Sequence, residues 1–228
     1  MTKTSIAIAA LALLISATAT AAVYVEPPFL EARVSSGQIP DVNLRVPNSP
    51  KVVTMDGDGR QVGKYGGTLN TLMARPKDVR MMVVYGYARL VKFNRNLEIV
   101  PDILEKVDIE EGRIFTFSLR RGHKWSDGQP FTSEDFRFYW EDIANNNELS
   151  PVGPPAILQV KGELPKFEVI DDVTVRYSWP KQNPDFLHRL AGASPLYIYR
   201  PAHYLKKFHA RYTDEIKLNL AAQESGQH

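Results

Sequence analysis

Between Val107 and Trp179 the apolar period of the chain changes twice, and that change constrains the fold more than any other feature. Residues 107–109 and 114–119 flank Glu110-Glu111-Gly112-Arg113, and Phe115, Phe117 and Leu119 alternate with Thr116, Ser118 and Arg120. Alternation with a period of two and a glycine-bearing turn predicts a β-hairpin with one buried face. Thr132 then offers a hydroxyl cap, Glu134 and Asp135 suit the positive end of a helix dipole, and Phe136, Tyr139, Trp140 and Ile143 recur at helical spacing. The aromatic stripe reads as core, and Asn145-Asn146-Asn147 ends the helix. Residues 167–170, a turn at Asp171-Asp172 and residues 173–179 return to strand periodicity as a second hairpin. Hairpin, helix, hairpin in that order is a mixed α/β (α+β) pattern.

Less regular segments surround this unit. Residues 68–73 alternate and suit a strand, followed by a helix over about 78–88 with Met81, Val84, Tyr85 and Ala88 on one face. Short helices are expected near 184–190 and 201–208, and Ser150-Pro151-Val152-Gly153-Pro154-Pro155 reads as a stiff loop. Residues 22–63 are rich in Pro, Gly, Asp and Asn without a period, as in an extended arm. Asp56-Gly57-Asp58-Gly59 resembles the opening of a calcium loop, but Arg60, Gln61 and Gly67 occupy its later required positions, so it reads as a turn.

At the N-terminus Lys3, the apolar run 6–15 and the small residues Ala17-Thr18-Ala19-Thr20-Ala21-Ala22 make a Sec-type signal, with cleavage expected after residue 21. Ten apolar residues reach about 15 Å, half of a roughly 30 Å hydrocarbon core, so the expectation is export to the periplasm and not a membrane span.

Composition narrows the chemistry. Lys+Arg 28 against Asp+Glu 26, with no basic cluster, removes the electrostatic motive for binding nucleic acid. With no cysteine there is no disulfide framework, thiolate zinc site, Cys nucleophile or lipid-bearing Cys. None of the 5 histidines sits in an H-x-x-x-H pair, and Gly192-Ala193-Ser194 is followed by Pro195-Leu196, not by a nucleophile elbow. Gly63-Lys64-Tyr65-Gly66-Gly67-Thr68 has the residue types of a phosphate loop in the wrong order. No metal or cofactor is therefore expected. Asp127, Glu134, Asp135, Glu141 and Asp142 are the carboxylates a hydrolase would need, yet each has a structural role as a turn residue, a helix N-terminal charge or an exposed helix face.

The segment from Arg120 to Phe136 carries the most specific signal. Phe117, Leu119, Arg120 and Gly122, then Trp125-Ser126-Asp127-Gly128, Pro130-Phe131-Thr132, Glu134-Asp135 and Trp140, resemble the signature of the extracellular solute-binding family 5, the peptide/nickel type of ABC-importer receptor. The resemblance extends through Gly66-Gly67-Thr68-Leu69, Leu90 and Pro101 upstream and Pro201-Ala202-His203-Tyr204-Leu205 downstream. With the signal peptide (1–21) and the extended arm (22–63) read above, it implies the N-terminal part of a two-lobed periplasmic-binding fold (64–212), followed by a polar tail or truncation end (213–228). The function implied is capture of a peptide or similar small solute for an ABC permease, without catalysis, by a truncated copy. Position in the family pattern places Arg75, Tyr85, Pro151 and Val152 at the border of the cleft, with Arg75 for a carboxylate, and leaves Trp125 and Asp127 as scaffold. The alternatives are a non-transporting sensor or structural module of the envelope, and a carboxylate-dependent envelope hydrolase.

Overall fold

The computed structural model describes residues 24–53, 55, 59, 61–82, 87–192, 196–224 and 226. The export signal, the Asp56-Gly57-Asp58 turn, Val84, Tyr85 and Ser194 lie outside the described residues. Where an extended arm is expected, the chain forms a 3-10 turn at Pro28–Leu30 and two short helices, α1 (Glu31–Ser35) and α2 (Val42–Arg45). Asp41 caps α2 by accepting from the Asn43 N–H at 2.8 Å. No strand forms over 68–73, and the helix expected over 78–88 is a 3-10 helix at Pro76–Met82. A strand exists only as part of a ladder, and among the described residues no strand pairs with this segment.

Two antiparallel sheets follow. β1 (Val91–Phe93) pairs with β2 (Ile99–Pro101). The larger sheet has the order β3-β4-β6-β5, with β3 (Leu104–Glu110), β4 (Ile114–Leu119), β5 (Lys166–Asp171) and β6 (Thr174–Ser178). Both expected hairpins are present. The first closes through Glu111 and Gly112 at φ 53° and 66°, with the Arg113 N–H donating to the Glu110 carbonyl at 3.0 Å. Two consecutive left-handed residues make the turn whose twist matches the flanking strands.

One face of this sheet is apolar and buried, and the other is polar. Phe117, Val175 and Tyr177 are fully buried, and Phe115 stands directly across from Tyr177. On the reverse face the Arg176 Nε donates to the Thr116 hydroxyl at 3.0 Å. Phe186, from α4 (Phe186–Ala191), closes the apolar face, with ring centroids 4.8 Å from Trp179 and 5.2 Å from Phe115. Burying each such ring contributes on the order of 2–3 kcal/mol. The Trp179 indole N–H donates to the Leu158 carbonyl at 2.7 Å, so its polar end is satisfied inside the core.

The helix begun at Thr132 is α3 (Ser133–Arg137), continued by a π-helix at Phe138–Ala144. The widened turn is visible where the Asn145 N–H reaches the Trp140 carbonyl at 3.1 Å. It changes which residues face inward. Phe136 and Tyr139 are buried as the spacing predicts, but so are Phe138 and Asp142. Asp142 is therefore not on an exposed helix face. The chain ends in α5 (Ala202–Leu205), a 3-10 turn and, where a polar tail is expected, α6 (Glu215–Glu224), which buries none of its residues.

Candidate functional site

The Trp125 turn and the capped helix meet at one carboxylate. Asp135 Oδ2 accepts from the Thr132 N–H at 2.9 Å and from the Trp125 indole N–H at 3.1 Å, while Oδ1 accepts from the Ala202 N–H at 2.9 Å. Thr132 completes a capping box by accepting from the Glu134 N–H at 3.3 Å. Asp135 thus ties the turn, the start of α3 and the start of α5 together. Burial pushes its pKa up, opposed by these three donors. Gly128, at φ 88°, lets the turn close so that the Trp125 N–H meets the Gln129 carbonyl at 2.8 Å.

The other carboxylates weighed for catalysis are also engaged. Asp127 accepts from the Gln129 N–H at 3.1 Å and lies 2.7 Å from His203 Nε2; these bonds hold its carboxyl below the usual range. Glu134 bridges Arg137 and Lys206, both at 2.6 Å, and the Arg137 guanidinium lowers its pKa against the opposing effect of burial. Glu141 pairs with Arg137 at 2.7 Å. Asp142 accepts from the Tyr212 hydroxyl at 2.6 Å and from Arg211 at 2.7 Å, with Arg137 at 3.1 Å. Burial raises its pKa, but the Tyr212, Arg211 and Arg137 donors outweigh it and hold the carboxyl low. This network fastens the segment after α5 to the aromatic helix. Among the described residues no group of three or more His, Asp or Glu side chains could hold a metal ion.

The arm docks on the same turn, a contact the sequence reading does not contain. The Asn48 N–H donates to the Arg121 carbonyl at 2.9 Å, Arg120 Nη1 to the Ser49 carbonyl at 2.9 Å, and Lys124 Nζ to the Leu44 carbonyl. Gly122 stands at φ 77°, a conformation that strains any side-chain-bearing residue, and a Cβ there would also push on the Asn48 side chain, whose Oδ1 would lie 2.5 Å away. Asp41 ahead of Val42 is the one sequence signal that could have revealed a helix in the arm. Between arm and turn lies a concavity of about 510 Å³ lined by Pro40, Leu44, Lys124, Trp125 and Asp127. A second, of about 420 Å³, is lined by Leu149, Phe208 and α6.

Neither concavity is lined by Arg75, Pro151 or Val152. Arg75 is exposed just before the 3-10 helix, its N–H on Asp78 Oδ2 at 3.1 Å and its Nε 3.8 Å from the same oxygen. Pro151 and Val152 stand exposed in the loop after the π-helix, Val152 at 95%. Tyr85 lies outside the described residues.

Comparison with known proteins places this architecture. Residues 98–222, more than half of the chain, match the family "Bacterial extracellular solute-binding proteins, family 5 Middle". The chain is 30% identical over 209 residues to the periplasmic alpha-galactoside-binding protein of Rhizobium meliloti, covering 83% of this chain and 30% of that protein. It is 30% identical over 125 residues to the periplasmic oligopeptide-binding protein OppA of Escherichia coli, covering 50% and 23%. The solved structure of an oligopeptide-binding protein OppA superposes on 88% of this chain and 30% of its own, with a TM-score of 0.72 and 32% identity. The periplasmic binding protein MelB of Agrobacterium fabrum, in complex with stachyose, shares the fold at a TM-score of 0.57 and 23% identity, over 86% and 33%. The chain spans less than a third of the length of the curated relatives named here. The mixed α/β arrangement is thus part of the periplasmic-binding-protein fold, and the chain belongs to the bacterial extracellular solute-binding proteins of family 5.

Proposed function

We propose that the protein is the solute-capturing component of an ABC importer, exported by the signal over residues 1–21 to the periplasm, where it hands a peptide or similar small solute to a membrane permease. The observation that carries this reading is the backbone match to an oligopeptide-binding protein over 88% of the chain at 32% identity. Recognition, not bond breaking, is the work, in keeping with the engagement of Asp127, Glu134, Asp135, Glu141 and Asp142 in holding turns and helices together. Among the described residues no helix is long and apolar enough to cross a membrane.

In this reading a solute shifts the receptor toward a closed form because it interacts more favourably with that form than with the open one. Arg75, Tyr85, Pro151 and Val152 border the binding cleft, Arg75 facing a solute carboxylate, while Trp125, Asp127 and Asp135 keep the supporting turn rigid. A second solute class has its own support: similarity to the alpha-galactoside-binding protein extends over 83% of the chain. A thermal-shift screen against short peptides, alpha-galactosides and nickel chelates separates the two. A saturable rise in melting temperature with one class is expected. No rise with any class would favour the non-transporting alternative.

A further inference from the structure

Where the arm crosses the junction of β2 and β3, a concavity of about 230 Å³ is lined by Pro47, Lys51, Asp102, Ile103, Arg120 and His123, among others. Its charges do not balance. Asp102 is its single carboxylate, and three cations converge on that residue. Lys92 Nζ lies 2.8 Å and Lys51 Nζ 3.5 Å from its Oδ1, and Arg120 Nε donates to its carbonyl at 3.3 Å. The other Asp102 oxygen accepts from the Arg89 N–H at 3.3 Å. His123 brings a buried Nδ1 that has no hydrogen-bond partner among the described residues.

The neighbouring cations are felt by the groups themselves. Lys51 is held below the usual lysine range by burial and by Lys92, and His123 below the usual histidine range by burial and by Arg120. Both shifts have the sign that a bound negative charge would reverse. The lining supplies flexible and planar cationic donors together with a ring nitrogen, the donor set suited to a small oxyanion.

We propose that this pocket binds a small oxyanion, of the size of phosphate or a carboxylate group, between Lys51, Arg120 and His123. The occupant opposes the excess positive charge and staples the arm to the sheet junction, since Lys51 belongs to the arm while Arg120 and His123 belong to the Trp125 turn. Arg75, Pro151 and Val152, proposed above for the solute cleft, do not line it.

The test is a melting-temperature titration of the full chain with sodium phosphate, and in parallel with sodium acetate, against sodium chloride at matched ionic strength. At about ten times its dissociation constant the better anion is expected to raise the wild-type melting temperature by roughly 3 °C beyond chloride. The larger of the two responses identifies the oxyanion class. Lys51→Gln is expected to weaken the response at least about ten-fold, and Asp102→Asn to strengthen it by removing the competing carboxylate. Ring-proton NMR is expected to show the His123 pKa rising with the anion in wild type and staying put in Lys51→Gln. The proposal is overturned if neither anion exceeds chloride, if Lys51→Gln responds as wild type does, or if the His123 pKa is insensitive to the anion.

Discussion

Two stretches of the chain carry comparable apolar side chains and treat them in opposite ways. In the β3–β6 sheet unit and the helices packed on it, Phe117, Leu119, Phe136, Tyr177, Trp179 and Phe186 are buried almost completely. In residues 61–82, Val62, Leu69 and Leu72 stand 80%, 73% and 102% exposed. The difference lies not in hydrophobicity but in partners. Each strand of the larger sheet has a neighbour that satisfies its backbone, and the sheet's apolar face is covered, whereas residues 68–73 pair with no strand among the described residues. Apolar alternation specifies a face; a ladder has to supply the strand.

Truncation separates the two stretches most sharply. Phe117→Ala should destabilise the chain by about 3–5 kcal/mol, while Leu72→Ala should stay within about 0.5 kcal/mol, both read from urea unfolding. Equal losses would break the comparison. Next in size is the Asp135 junction, where Asp135→Ala leaves the Thr132, Trp125 and Ala202 N–H groups without their acceptor. A loss of about 2–4 kcal/mol is expected, accompanied by a change in tryptophan fluorescence.

Acidification gives a smaller and more specific effect. Asp142 titrates below its unfolded value, so its stabilising contribution is present above the unfolded carboxylate pKa of about 3.9 and is lost as pH falls through the folded value. Asp135 has the opposite sign: its protonated form favours folding below the unfolded value, and that contribution disappears as pH rises through the folded pKa. Asp142→Asn should therefore flatten the acid limb of a stability-versus-pH curve, and Asp135→Asn should steepen it. The smallest effect is expected for Asp127→Asn at the exposed pair with His203, where unfolding midpoints should match wild type within error.

How much of this was legible in the sequence follows the same division. Both hairpins and the Thr132 cap could be read because period, turn residues and caps agree there, and the short helices near 184–190 and 201–208 were also legible, whereas the helix at Glu215–Glu224 was not. The burial of Phe138 and Asp142 could not, since a π-turn resets a helical count that assumes 3.6 residues per turn. The docking of the arm on the Trp125 turn was hidden because its bonds run through backbone groups and long side chains that carry no period. Of the expected cleft residues, Arg75 is exposed before the 3-10 helix, and Pro151 and Val152 are exposed together on the loop after the π-helix, exposures that the sequence pattern alone does not specify.

Solute capture without conversion is tested most directly by calorimetric titration of the chain with a short peptide and with an alpha-galactoside, followed by mass analysis of the recovered ligand. The account predicts saturable binding of one of them and recovery of that ligand intact. Absence of binding by both, or recovery of a cleaved product, would contradict it.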